Sequence, residues 1–262
     1  MTDIPFTKAH GAQNDFLLTW RADAKITDYS AFARAICNRY TGVGADGWML
    51  VDSDPVCAIE LYNSDGSKPE LSGNGTRCAA ALLARDNSDQ TEFRIKTGAG
   101  IKHLKLISQT GYQYQFEMNM GDIKVLELHA SVQGRDAVLV DSGNPQCVFP
   151  VADFNFDWRS AGEATERDQR FPNRTNVSFI RPIDANTIEV RFWERGAGET
   201  NSSGTGSTGA AVAAAARGLA QSPITVQTPA GPLTLTLTGD EAKLKGPAEL
   251  ISDGAFYLSD AK

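Results

Sequence analysis

Ser72–Ala84 reads SGNGTRCAAALLA, and Ser203–Ala216 reads SGTGSTGAAVAAAA. Each stretch sets a serine directly before a G-x-G turn that enters an alanine-rich helix. Ser72 aligns with Ser203, Gly73 with Gly204, Gly75 with Gly206, Ala79 with Ala210, Ala80 with Ala211 and Ala84 with Ala215, at a constant offset of half the 262-residue chain. An Ala/Gly match alone carries little weight. At the same offset, however, Arg39-Tyr40 falls on Arg170-Phe171, and AIELYN (Ala58–Asn63) falls on EVRFWE (Glu189–Glu194). Separate segments that agree at one offset mark an internal duplication.

Each half then carries the same pattern of short strands, a Gly-rich loop, one alanine-rich helix and further strands. EFRIKT (Glu92–Thr97), IKHLKLI (Ile101–Ile107) and YQYQFEM (Tyr112–Met118) read as strands by alternation and by β-branched or aromatic content, as do ITVQT (Ile224–Thr228) and LTLTLTG (Leu233–Gly239). The helices are predicted over Thr76–Arg85 and Ser207–Leu219, and their small apolar residues all round predict burial on every side. The expected fold is therefore α+β, with strands wrapped around a central helix twice. The expected lobes are residues 1–130 and 131–262, divided within HASVQGRDAVLV (His129–Val140), with the final strand free to cross over.

Composition is that of a soluble globular chain, 41% hydrophobic and 22% charged, and no apolar run approaches the ~18 residues of a membrane span. A net charge of -7 argues against nucleic acid, whose phosphates need a positive face. The N-terminus lacks the basic segment and apolar stretch of a secretory signal, so a cytoplasmic location is expected. Cys37, Cys57, Cys78 and Cys147 lie far apart without C-x-x-C spacing, and His10, His103 and His129 do not cluster with them; reduced, inert thiols and no metal site are expected.

GTGSTG (Gly204–Gly209) satisfies G-x-G-x-x-G, but it does not follow its strand directly, and Thr200–Gly239 holds no Asp or Glu to bind a ribose about 20 residues on. The chain has neither a P-loop nor a G-x-S-x-G elbow. What remains is a Gly-rich turn entering a helix, with free backbone N–H groups and the positive end of the helix dipole, which suits an anion. Taken singly, Ser72 and Ser203 read as ordinary N-caps with glycines for tight turns. As a duplicated pair flanked by Asn63, Asn74, Glu194 and Arg195, they read as two halves of a grip on a carboxylate-bearing ligand.

At these residues the sequence resembles the diaminopimelate epimerase family. The likeness runs in order through HGAQNDF (His10–Phe16), RYTGVGADG (Arg39–Gly47), YNSDGS (Tyr62–Ser67), SGNGTRC (Ser72–Cys78), SGNPQCV (Ser142–Val148), FPNRTNVSF (Phe171–Phe179) and ERGAGET-x-x-SGTG from Glu194. The resemblance implies two pseudo-symmetric lobes, each a strand barrel around a central helix, with a cofactor-independent racemisation site between them. One group removes the Cα proton and another returns a proton to the opposite face. Carried over by position, Ser72 and Ser203 are the proton-transfer residues. Asn14, Asn63, Asn144, Asn176, Glu194 and Arg195 bind polar groups of the amino acid. Backbone N–H groups of Gly73, Asn74, Gly204 and Thr205 hold the reacting carboxylate, where charge grows.

The departures fall on the chemistry. Both proton-transfer positions are cysteine in the family and serine here. A thiol is readily driven to thiolate at a helix N-terminus, whereas an unassisted hydroxyl stays neutral near pH 7. Gln146 stands where a histidine often follows the proline of the SGNP segment, and Thr208 stands where cysteine is common. Cys78 is expected to be a helix-core thiol, and Glu194 is the strongest proton acceptor left near the pair. Three functions follow: an amino-acid isomerase that converts LL- to meso-diaminopimelate in lysine biosynthesis; a related isomerase of a small carboxylic acid; or a non-catalytic carboxylate binder. The expected partner is a small amino or carboxylic acid, and homodimer formation is left open.

Overall fold

The computed structural model describes residues 2–53, 56–69 and 71–258, and the chain packs as two compact units. The first comprises the chain up to Glu117 together with the segment from Pro247 onward, and the second comprises Met118–Gly246. The division expected near residue 130 falls inside the second unit.

In the first unit the elements follow in order: β1 (Thr2–Gly11), β2 (Asn14–Trp20), α1 (Tyr29–Ile36), β3 (Gly47–Asp52), β4 (Ala58–Asn63), α2 (Gly73–Asp86), β5 (Glu92–Thr97), β6 (Gly100–Thr110) and β7 (Gln113–Asp122), whose last residues, from Met118, belong to the second unit. The second unit continues with β8 (Lys124–Val132), β9 (Arg135–Asp141), β10 (Pro145–Pro150), α3 (Trp158–Glu166), β11 (Asn176–Asp184), β12 (Thr187–Glu194), β13 (Gly198–Thr200), α4 (Gly204–Ala216), β14 (Ile224–Thr228) and β15 (Gly231–Thr238). The chain returns to the first unit along β16 (Glu241–Leu258).

In the first unit, strands β1 to β7 neighbour one another in sequence order, and β16 pairs with both β7 and β1, so the sheet closes into a barrel. In the second the order is β16, β15, β14, β12, β11, β10, β9, β8, with β13 hydrogen-bonded to β12. Among the described residues the parallel pairs are β2/β3 and β4/β5 in one unit, and β10/β11 and β12/β14 in the other. A parallel pair needs a crossover connection, and α1, α2, α3 and α4 supply the four in turn. The duplication is thus carried in the topology as well as in the sequence. None of the helices in the described residues is long and apolar enough to cross a membrane.

Asn74 to Ala84 of α2 are all buried, as the absence of a polar face predicts. Helix α4 buries most of its length against β8–β12, β14 and β15, but leaves Thr205, Val212 and Ala215 partly exposed and Ala216 open to solvent. Both helices begin three residues before the predicted starts, because the glycines lie within the first turn rather than ahead of it. Their role is close approach. A Cβ on Gly75 would lie 2.7 Å from the Met49 methyl, and one on Gly206 would lie 2.9 Å from Ser203 Oγ and 3.0 Å from Phe192. Helix α4 stops at Ala216 instead of Leu219 because Gly218 takes φ +67° just past the C-cap, a conformation that ends helices. Strands β4, β5 and β14 have the predicted limits, while β12 and β15 are shifted by one or two residues at their ends and β6 and β7 run three and four residues further than predicted.

Candidate active site

In the second unit, β12 ends on Glu194, and the chain doubles back through Gly196 and Gly198, both with positive φ. The returning strand pairs Glu194 with Gly198 and delivers Thr200, whose hydroxyl donates to Glu194 Oε1 at 2.6 Å. Ser203 follows as the N-cap of α4. Its Oγ accepts the Gly206 N–H at 3.1 Å and donates to Glu194 Oε2 at 2.9 Å. Burial pushes the Glu194 carboxyl above its ordinary range, against the opposing effect of the hydroxyls of Thr200 and Ser203. The result is a serine hydroxyl coupled to a carboxylate of raised basicity, beside the free N–H groups of a helix start.

The surrounding side chains hold this corner in place. Asn144 donates to the Thr205 hydroxyl at 3.4 Å and accepts from the buried Gln146 at 2.5 Å, and Ser142 donates to the Thr205 carbonyl. Asn176 donates to the Pro145 carbonyl and accepts the Arg195 N–H at 3.0 Å. The Arg195 side chain is exposed and donates to the Asn173 carbonyl. Sequence reasoning missed Glu166, buried at the end of α3. It accepts from Trp193 Nε1 at 2.8 Å, from the Gly196 N–H at 3.0 Å and from Arg174 at 3.2 Å. Burial acts to raise its carboxyl, but these donors outweigh it and hold the group below the usual range. Glu166 therefore anchors the loop that carries Glu194 and Arg195, and one of two glutamates in a polar helix end gives no sequence signal of that.

The first unit builds its helix start differently. Ser72 caps α2, its Oγ accepting the Gly75 N–H at 3.1 Å, and it borders a cavity of about 30 Å³ with Ile59, Leu61 and Leu71, room for a water-sized group. Asn63, the repeat equivalent of Glu194, donates to the Ser67 hydroxyl at 2.9 Å. Asn14 donates to Asp46 at 2.6 Å and accepts from the buried Asn74 at 3.4 Å. Asp46 and Asp15 share the Arg39 guanidinium, and Lys8 also pairs with Asp15. Burial would raise Asp15, but Arg39 and Lys8 hold it below the usual range. This cluster fixes Asn14 at the β1–β2 turn. Gly73 and Asn74 occupy the first two helical positions, whose N–H groups have no intrahelical acceptor, as do Gly204 and Thr205 in α4.

No cysteine replaces the serines. Burial pushes Cys37, Cys57, Cys78 and Cys147 each up to about 12, leaving them as thiols at neutral pH.

A sequence model of the family described as diaminopimelate epimerase matches residues 6–126 and 138–251. The diaminopimelate epimerase of Desulfitobacterium hafniense is 36% identical, covering 98% of this chain and 99% of its own length. That of Moorella thermoacetica is 34% identical over 97% of this chain and 99% of its own. The chain belongs to the diaminopimelate epimerase family. Solved structures share the fold of this family at lower identity. A hydroxyproline epimerase from Agrobacterium vitis superposes with a TM-score of 0.70 at 16% identity, covering 99% of this chain and 94% of its own. A PhzF-family phenazine biosynthesis protein from Bacillus anthracis gives 0.73 at 16% identity, covering 98% and 100%. Diaminopimelate epimerase family membership makes this chain an isomerase of the epimerase and racemase type.

Proposed function

We propose that the chain is a cofactor-independent amino-acid isomerase acting on diaminopimelate or a close relative, with Glu194 working through Ser203 as its base. The observation that carries this is the 2.9 Å hydrogen bond from Ser203 Oγ to a carboxylate of raised basicity. As Ser203 Oγ takes the Cα proton, its own proton passes to Glu194 Oε2. The C–H electron pair spreads into the substrate carboxylate, whose growing charge is held by the N–H groups of Gly73, Asn74, Gly204 and Thr205. Ser72 is the second proton-transfer position, and Asn14, Asn63, Asn144, Asn176 and Arg195 bind the polar groups of the substrate. The test is proton NMR of diaminopimelate in D2O with no added cofactor. Loss of the Cα proton signal is expected, and no exchange above background at high concentration of folded enzyme would sink the proposal.

A second reading rests on the first unit, where no carboxylate is hydrogen-bonded to Ser72 Oγ among the described residues. One carboxylate suffices to shift a double bond in a small carboxylic acid, so an isomerase of that class needs only Glu194. The same NMR assay over a panel of unsaturated acids separates the two. A gain of epimerase activity from zero on Ser72→Cys with Ser203→Cys would instead favour a carboxylate-binding homologue.

A further inference from the structure

On the barrel of the first unit, β6, β7, β16 and β1 are neighbours, and side chains along each strand alternate between the core and the outside. Tyr114 and Phe116 of β7 and Ala248 and Leu250 of β16 are buried. Gln113, Gln115 and Glu249, which alternate with them, therefore point outward. On β1, Ala9 is buried and a Cβ on Gly11 would lie 2.9 Å from the Asn74 carbonyl oxygen, so His10 takes the outward side too, opposite Glu249 in the strand register. With Ser108 and Thr110 of β6, these side chains line a groove of about 300 Å³. The cause of the hollow is local. The β1/β16 register slips between Lys8 and Ala9, which leaves Ile251 as an extra residue beside the His10–Glu249 pair, and such a bulge bends its strand and re-aims the side chains next to it.

The lining is polar, and much of its hydrogen-bonding capacity is unspent. Glu249 Oε2 has only long contacts, 3.4 Å from Gln113 Nε2 and 3.5 Å from His10 Nε2, and its Oε1 has no partner among the described residues. Glu60 and Glu199, by contrast, draw every donor to 2.9 Å or less. His10 Nδ1 is buried without a partner, and the side chains of Ser108, Thr110 and Gln115 have none among the described residues. No lysine or arginine lines the groove, so Glu249 is its one acidic group and has no full-time cation beside it. Such a lining suits a molecule that brings a positive charge and several donors. A primary ammonium supplies three donors on one atom, and the hydroxyls and amides around Glu249 can take those that the carboxylate does not. At ~30 Å³ for each water-sized group, the volume holds about ten non-hydrogen atoms.

We propose that this groove is a second binding site, specific for a small organic amine, with Glu249 holding the ammonium group. It lies wholly on the first unit and shares no residue with the candidate active site. Its assignment is independent of the reaction proposed above.

The experiment titrates the full chain with three molecules of one length, 5-amino-1-pentanol, 1,5-pentanediol and 5-hydroxypentanoate, and follows the side-chain amides of Gln113 and Gln115 by proton–nitrogen NMR. Saturable shifts are expected with the amine, and binding of the diol and the hydroxy acid is expected to be at least about tenfold weaker. Glu249→Gln is expected to weaken the amine about tenfold or more, because the charge-assisted hydrogen bond is lost. Gln115→Glu adds a second carboxylate to the same face and is expected to tighten the amine severalfold, which keeps the proposal testable if Glu249→Gln fails to fold. Equal binding of the diol, or a preference for the hydroxy acid, would overturn the amine assignment. Unchanged amine affinity in both variants would remove Glu249 from the site. Shifts that rise linearly without saturating are those of any wetted sheet face and would overturn the site itself. Every readout is binding without turnover, so each of these failures leaves the proposed isomerase standing.

Discussion

Glu194 owes its raised pKa to burial, and the sign of that shift sets two expectations at the scale of single residues. A carboxyl whose folded value exceeds its unfolded one favours the fold when protonated, and that contribution is lost as pH rises through the raised value. Glu194→Gln stays neutral throughout. It is expected to melt at or above wild type near pH 8 while Cα exchange falls about 100-fold or more. A variant that melts well below wild type would make Glu194 a structural residue. Exchange requires the ionised carboxylate, so the acid limb of kcat/KM is expected above the usual glutamate range. Thr200→Val removes the 2.6 Å hydroxyl bond that favours the ionised form, and should move that limb higher still. An unmoved limb would show that another group sets it. The candidate site was legible at this scale wherever a residue belonged to a motif, as with Ser203 and Glu194. The roles of Glu166 and the burial of Arg77 were not, because a side chain's partners across the fold leave no mark on its neighbours in sequence.

Among the elements, the two glycine-rich helix starts differ in what lies against them. A Cβ on Gly75 meets the end of the Met49 side chain at 2.7 Å and the Phe16 ring at 3.3 Å, whereas one on Gly206 meets Ser203 itself at 2.9 Å and the Phe192 ring at 3.0 Å. Gly75→Ala is therefore expected to cost about 1–3 kcal/mol of stability, the range for overpacking a buried position, yet to leave exchange within a fewfold of wild type. Gly206→Ala should displace Ser203 from Glu194 and lower exchange at least tenfold, compared by urea denaturation and NMR assay. Equal losses of exchange would remove the Ser203–Glu194 contact from the mechanism. The sequence placed both helices but set their starts three residues late. Helix propensity counts glycine against the first turn, while the serine cap and the need for strand-to-helix contact outweigh it.

For the molecule as a whole, the path of the chain matters more than its length. The second unit is one continuous segment, Met118–Gly246, whereas the first needs the final strand to return from Pro247. Expressed alone, 118–246 is expected to give a dispersed amide spectrum. The segment 2–117 alone ends partway along β7, lacks the strand that pairs with β1 and β7, exposes two sheet edges, and is expected to aggregate until 247–258 is supplied. A soluble, folded 2–117 would contradict this. The sequence by itself determined the duplication, seven of the strands, the two central helices and the family, because repeat spacing, side-chain alternation and capping are local properties written in consecutive residues. Only the tertiary structure decided where the chain crosses back, that Ser203 Oγ donates to the Glu194 carboxylate, and that Arg77 lies buried against neutral acceptors. Those depend on which distant side chains share one small volume, where burial and pairing set charge.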